Sequence, residues 1–210
     1  MKNSIKFLVV VLCLISTTVS HGQSFQKHDM FLDLGFGLGI YNTTFYNYNN
    51  DSTKRGKAGS IIIPLTFEYA IGNRIGIGVQ LVTQSFLTST DSSTNAKPSV
   101  HSGELNLFGN YHFVRSEHVD LAVGLTIGGS NFTYNTNDSN GGTLTAGGPY
   151  VDIHFGARFL FGKHLGMIAS LRFPTITYIQ GLASDNLGDE FNFDLKFKGT
   201  VIGTGITYKF

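Results

Sequence analysis

The chain has 210 residues, with 26 Gly, 18 Phe, 9 Tyr, no Trp and only 14% charged side chains. This length allows one domain or at most two, and a formal charge of +1 provides no basic field for nucleic acid, which excludes that class of partner. Sparse charge with abundant glycine and aromatics departs from the soluble average of about a quarter charged and points to a closely packed all-β protein.

The first segment, MKNSIKFLVVVLCLISTTVSHG, places Lys2 and Lys6 ahead of an apolar run from Phe7 to Ile15 and ends on Ser20-His21-Gly22. This is the layout of a cleaved secretory signal peptide. The apolar run is too short to cross about 30 Å of hydrocarbon as a helix. The expected organisation is therefore a signal peptide over 1–22 and one domain over 23–210. Losing the two lysines takes the formal charge from +1 to −1. Cys13, the single cysteine, leaves with the signal, so the mature chain has no disulfide, thiolate metal site or cysteine nucleophile.

Beyond Gly22 the recurring signal is alternation of period two, which marks strands with two different faces. Met30 to Ile40 alternate on even numbers with Phe31, Asp33, Gly35, Gly37, Gly39 and Tyr41. Ile61 to Tyr69 alternate with Ile62, Pro64, Thr66, Glu68 and Ala70, and Ile75 to Leu81 with Gly76, Gly78, Gln80 and Val82. Leu105 to Phe113 alternate with Glu104, Asn106, Phe108, Asn110 and His112; Val119 to Ile127 alternate with Asp120, Ala122, Gly124, Thr126 and Gly128. Val151 to Phe161 alternate with Asp152, His154, Gly156, Arg158 and Leu160, and Leu165 to Phe173 with Gly166, Ile168, Ser170 and Arg172. An eighth strand ends in GTGITYKF, with Ile206, Tyr208 and Phe210 on one face. Within it Phe191, Phe193, Leu195 and Phe197 are odd-numbered while Ile202 and Ile206 are even, which predicts a one-residue bulge at Gly199.

The connections alternate strictly between long and tight. Asn42–Gly59, Thr88–Val100, Asn131–Gly148 and Ile179–Glu190 are long and polar; Gly72-Asn73, Arg115-Ser116-Glu117 and Gly162-Lys163 are tight. All long loops therefore gather at one end of an eight-stranded antiparallel up-and-down meander.

Such a meander closes either as a soluble lipocalin-like barrel, apolar inside, or as a transmembrane barrel, apolar outside. The polar face here is rich in small residues and poor in lysine and glutamate, unlike a solvated surface. Its charges, Asp33, Glu68, Glu104, Asp152, Arg158 and Arg172, are of both signs. The loop asymmetry also matches outer-membrane barrels, so the expected fold is an all-β, eight-stranded antiparallel transmembrane β-barrel. Aromatics fall where two interfacial girdles belong: Phe67, Tyr69, Tyr111, Phe113, Phe159, Phe161, Tyr208 and Phe210 at the tight-turn end, and Tyr41, Phe45, Phe86, Phe132 and Phe173 toward the long loops. An eight-stranded barrel is just wide enough for side chains to fill its interior. An unpaired ion in such a space costs on the order of several kcal/mol in lost hydration. The six luminal charges are accordingly expected to pair in one network, and the packed lumen is not expected to conduct.

The mature chain resembles the small eight-stranded bacterial outer-membrane β-barrel family, which includes the OmpA/OmpX-type barrels. The most specific element of the resemblance is Ile206-x-Tyr208-x-Phe210 at the C-terminus. The resemblance implies a Gram-negative outer-membrane location, long loops outside, outer-membrane lipid as the surrounding partner, and recognition of the Ile206, Tyr208 and Phe210 signal by the barrel-assembly machinery during insertion.

Other motifs carry less chemistry. GFGLG at Gly35–Gly39 lies inside a strand with no following helix to hold a pyrophosphate, so no nucleotide cofactor is expected. His101, Ser102 and Glu104 raise a lipid A-modifying hydrolase, but neighbours in a strand face opposite ways. No histidine spacing fits a metal site, and ASDNLGDEF, with Asp185, Asp189 and Glu190, lacks EF-hand spacing and reads as a solvated acidic loop. The function expected is a non-enzymatic outer-membrane barrel with a structural or surface-binding role, with a narrow conduit for small or apolar solutes as the alternative.

Overall fold

The computed structural model describes residues 24–48, 51–87, 98–135, 143–184 and 190–210. The expected signal peptide over 1–22 and Gln23, the first residue of the expected domain, lie outside the described residues, as do Asp185 and Asp189. Eight strands run β1 (Met30–Asn47), β2 (Ser52–Ala70), β3 (Ile75–Phe86), β4 (Ser99–Arg115), β5 (Val119–Asn135), β6 (Thr143–Leu160), β7 (Leu165–Ser184) and β8 (Glu190–Lys209). Each pairs antiparallel with its neighbours in chain order, and β8 pairs back onto β1 to close the barrel. Closure pairs every strand on both edges across the apolar belt, which a sheet in hydrocarbon requires. The last residue takes part, because the Phe210 amide donates to the Met30 carbonyl at 3.0 Å.

The tight turns are held by short backbone bonds, such as Ser116 N–H to Val119 O at 2.8 Å and Phe161 N–H to Leu165 O at 2.8 Å. At the second of these Gly162 takes φ 139°, in the region that favours glycine.

Alternation decides what faces out. Leu34, Leu38, Leu65, Leu81, Leu107, Leu125, Ile153, Met167 and Ile206 stand on the outer wall, all more than a third exposed, while Asp33, Glu68, Asn106, Thr126, Asp152 and Arg158 are buried inside. This is the inverse of a soluble barrel. About 9–11 tilted residues suffice to cross a bilayer, yet the strands have up to 20 residues. The surplus takes up most of the spans expected as long loops, leaving only residues 48–51 between β1 and β2, 136–142 between β5 and β6 and 185–189 between β7 and β8. In this surplus the dyad pattern inverts: Asn42, Arg55, Lys57, Lys196 and Lys198 face outward, and Tyr41, Phe193, Leu195 and Phe197 are buried inside. A barrel wall standing in water needs a polar exterior and gains from an apolar core.

That inversion corrects the reading of strand eight. The β1–β8 register is continuous from Phe31↔Lys209 to Asn47↔Phe193, with no bulge at Gly199. Phe193 and Leu195 are apolar because they point into the lumen above the membrane belt, and Ile202 and Ile206 because they point outward within it. The bulges fall instead between His112 and Val114, Thr145 and Tyr150, and Tyr178 and Gly181.

The aromatic girdles are corrected in the same way. The tight-turn set faces outward, with Phe113, Phe159, Phe161, Tyr208 and Phe210 exposed. Of the long-loop set only Phe173 does so; Tyr41, Phe86 and Phe132 are buried in the lumen and Phe45 packs against them. Their positions share the inward parity of Asp33, Val82 and Thr126, so the pleat puts them inside.

Candidate functional site: a two-layered lumen

The lumen is filled in layers. At the tight-turn mouth the segment preceding β1 folds back under the barrel. Ser24 N–H bonds the Ser116 carbonyl at 2.9 Å, His28 N–H the Ala70 carbonyl at 2.9 Å, and Lys209 Nζ pairs with Asp29 at 2.7 Å. This seats Phe25, fully buried, flat on the His112 ring at 3.5 Å between centroids and beside Phe31 at 5.7 Å.

Above Phe25 lies the first charge cluster. Arg158, on β6, donates to Asp33 on β1 at 2.7 Å and Glu68 on β2 at 2.5 Å, and lies 3.5 Å from Asp120 on β5. Its guanidinium also sits 4.5 Å over the Phe31 ring. His112, on β4, bridges Asp120 through Nδ1 at 2.8 Å and Glu68 through Nε2 at 3.0 Å. Carboxylates are acceptors only, so serving both requires a proton on each ring nitrogen. Three carboxylates thus share two cations among buried side chains.

The second cluster lies toward the long loops. Arg172 holds Asp152 through Nε at 2.8 Å and through Nη2, and also donates to Thr126 Oγ1 at 3.3 Å. Tyr150 donates its hydroxyl to Asp152 at 2.6 Å, and His154 Nδ1 lies 3.0 Å from the same carboxylate. Asn110 joins the two clusters: its amide donates to Glu68 Oε1 at 2.9 Å while its carbonyl accepts from His154 Nε2 at 2.8 Å. Hydrogen bonds therefore run without a break from Asp120 through His112, Glu68, Asn110 and His154 to Asp152.

Five of the six charges read from the sequence enter these clusters, as two groups and not as one. Asp33, Glu68 and Arg158 meet in the first, Asp152 and Arg172 in the second. Among the described residues Glu104 is brought into no ion pair; its partner is Asn106 Nδ2 at 3.5 Å, and its Oε1 has none. Asp120, His112, His154 and Asn110, absent from the expected network, also join the clusters, and inward parity is the signal that marks each of them.

Above the second cluster the lumen turns aromatic. Phe197 packs at 4.9 Å from Phe86, 5.9 Å from Tyr41, 5.9 Å from Tyr178 and 6.0 Å from Phe132. Tyr178 reaches Ser130 through its hydroxyl at 2.7 Å. A cavity of about 90 Å³ reaches from this aromatic layer into the ionic one, bounded by Tyr41, Val82, Tyr150, Arg172, Arg158 and Asp33 among others. A cavity of this size and polarity holds a handful of waters, each needing roughly 10–15 Å³. Luminal glycines make room: a methyl on Gly76 would collide with the Glu68 carboxylate, and one on Gly124 with Asn110 and His154.

His101, Ser102 and Glu104 are not brought together. Ser102 and Glu104 are buried in the lumen, whereas His101 is exposed on the outer wall with Nδ1 3.0 Å from Ser85 Oγ. Among the described residues no group of three or more His, Cys, Asp or Glu is arranged to hold a metal ion. The terminal Ile206, Tyr208 and Phe210 face outward, with Phe210 57% exposed and its ring 5.0 Å from Tyr208.

No family model matches the chain, and no curated protein matches it in sequence. Its fold is that of solved outer-membrane barrels. The outer-membrane protein OprG from Pseudomonas aeruginosa is similar at a TM-score of 0.59 and 15% identity, over 89% of this chain and 97% of that one. The outer-membrane protein AlkL, determined in lipid bilayers, is similar at 0.59 and 15%, over 91% and 94%. A major outer-membrane protein from Thermus thermophilus is similar at 0.51 and 13%, over 86% and 99%. At these identities the likeness carries the eight-stranded outer-membrane barrel fold.

Proposed function

We propose that the protein is an integral, non-enzymatic outer-membrane barrel that is closed to ions and acts from its long-loop end. One observation carries this reading: side chains occlude the lumen at both ends, Phe25 below and the Phe86, Phe132, Tyr178 and Phe197 layer above, with a cavity of about 90 Å³ between them. The apolar outer wall supports a lipid surround, and the exported state with long loops outside follows from the N-terminal pattern and the loop asymmetry. Ile206, Tyr208 and Phe210 are the residues offered to the assembly machinery. The protein reconstituted in planar bilayers is expected to show no steady ionic conductance; persistent single-channel steps would overturn the closed-lumen reading.

A second reading is favoured by the aromatic layer itself. Its apolar surface adjoins the cavity through Tyr41, Val82, Tyr150 and Val201, which suits entry of a small apolar solute better than an ion. Uptake of an apolar dye into proteoliposomes above that of protein-free vesicles, raised by Phe197→Ala, would favour the conduit.

A further inference from the structure

The described lysines and arginines of the long-loop end all stand on two strands. They are Lys54, Arg55 and Lys57 of β2 and Lys196 and Lys198 of β8, on either side of β1. Register places four of them on the outer wall in a grid: Lys57 and Lys198 flank Asn42, and Arg55 and Lys196 flank Thr44. Strands lie about 4.8 Å apart and alternate residues about 7 Å apart along a strand, so four cations share a patch roughly 10 Å wide. All four are exposed, and among the described residues none of them forms an ion pair. Two acids of this end, Asp51 and Asp194, accept from tyrosine hydroxyls, Tyr46 at 2.6 Å and Tyr48 at 2.8 Å.

The row immediately below is apolar. Ile40 is 71% exposed between Gly59 and Thr200, and beneath it Leu38 lies between Ile61 and Ile202. Cations stacked on the upper edge of an exposed apolar belt match one kind of molecule, with acyl chains on one side and anionic oxygens on the other. We propose that the outer face of β8–β1–β2 docks a membrane lipid with a phosphorylated headgroup, its chains along Leu38, Ile40 and Ile202 and its phosphate between Lys57, Lys198, Arg55 and Lys196. Phosphate oxygens accept charge-assisted bonds from both lysine and arginine, and arginine adds a planar fork. This inference rests on the membrane reading above.

The test uses the mature protein in maltoside micelles, titrated with a diphosphorylated acylated glucosamine disaccharide and followed by native mass spectrometry. Each cation near an anionic lipid surface is worth about fivefold, so Lys57→Gln/Lys198→Gln is expected to weaken retention roughly thirtyfold. Arg55→Gln/Lys196→Gln should act alike, and Lys163→Gln, at the opposite end, should change nothing. Removing both phosphates from the lipid should mimic the double variants. Equal retention by wild type and both double variants, or equal retention of the phosphate-free lipid, overturns the proposal. Complete displacement of the lipid by millimolar inorganic phosphate also overturns it, reducing the patch to a simple anion site. Flotation with phosphatidylcholine vesicles separates the two levels. Failure of the wild type to float defeats the membrane reading and this site with it, whereas flotation without phosphate discrimination defeats this site alone.

Discussion

Replacing Arg158 by methionine tests the ionic layer directly. Among the described residues the guanidinium is the sole cation paired with Asp33, whose Oδ1 has no hydrogen-bond partner there, and it shares Glu68 and Asp120 with His112. In the intact cluster three carboxylates face two cations; after the substitution three face one. At the effective dielectric of about 20 that suits protein sites, one pair at 4 Å gains about 4 kcal/mol, partly offset because the guanidinium need no longer be desolvated. Breaking a buried pair by removing one partner costs about 3–5 kcal/mol net, and Arg158→Met is expected in that range. Asp33→Asn in the same chain removes the carboxylate left with no alternative partner. The double variant should therefore recover at least about 1 kcal/mol relative to the sum of the single effects. Equilibrium unfolding from vesicles, followed by β-sheet circular dichroism because the chain lacks tryptophan, supplies the numbers. An Arg158→Met loss below about 1 kcal/mol, or strict additivity with Asp33→Asn, would refute the argument that these charges stabilise by pairing.

Further predictions follow from the same geometry. Leu125→Arg on the outer wall should cost about 2–4 kcal/mol if it sits near the bilayer midplane, and the luminal Thr126→Ser much less, in the same unfolding assay. Gly124→Ala, which drives a methyl into Asn110 and His154, should cost roughly 1–3 kcal/mol, while Gly156→Ala, where nothing lies within 4 Å, should stay within about 0.5 kcal/mol. Phe25→Ala should free the N-terminal segment, raising hydrogen exchange at the Ser24 and His28 amides by about a hundredfold for a loss near 3 kcal/mol. Deleting Phe210 should sharply lower insertion in cells but leave refolding into synthetic vesicles nearly intact; equal deficits in both would reduce Phe210 to a stability role.

The strand count and the inside-out dyad were legible in the sequence because each depends only on the period-two pleat. The strict alternation of long and tight connections fails at the first, since only residues 48–51 separate β1 from β2, as few as the 71–74 turn. Parity even contained the luminal place of Tyr41, Phe86 and Phe132, which was lost when aromatics near strand ends were assigned to a girdle by height alone. The inverted upper barrel could have been recognised from Lys196 and Lys198 alternating with Leu195 and Phe197, a water-facing pattern directly following on the lipid-facing one. What parity does not contain is partnership across the lumen. Arg158 meets Asp33, 125 residues away, because barrel closure brings β1 and β6 to opposite walls at one height, and that height depends on strand stagger. Phe25 carried no periodic signal, since it precedes the first strand.

The central claim is that one face of every strand lies in lipid and the other in a closed lumen. Because residues 23–210 contain no cysteine, spin labels can be placed singly from Val119 to Ile127 on β5 of that segment in reconstituted vesicles, and their collisions with oxygen and with a water-soluble nickel chelate measured. The account predicts a period-two profile, with oxygen access high at Val123, Leu125 and Ile127, low at the positions between them, and chelate access low throughout. High chelate access at the odd positions, or no alternation at all, would contradict it.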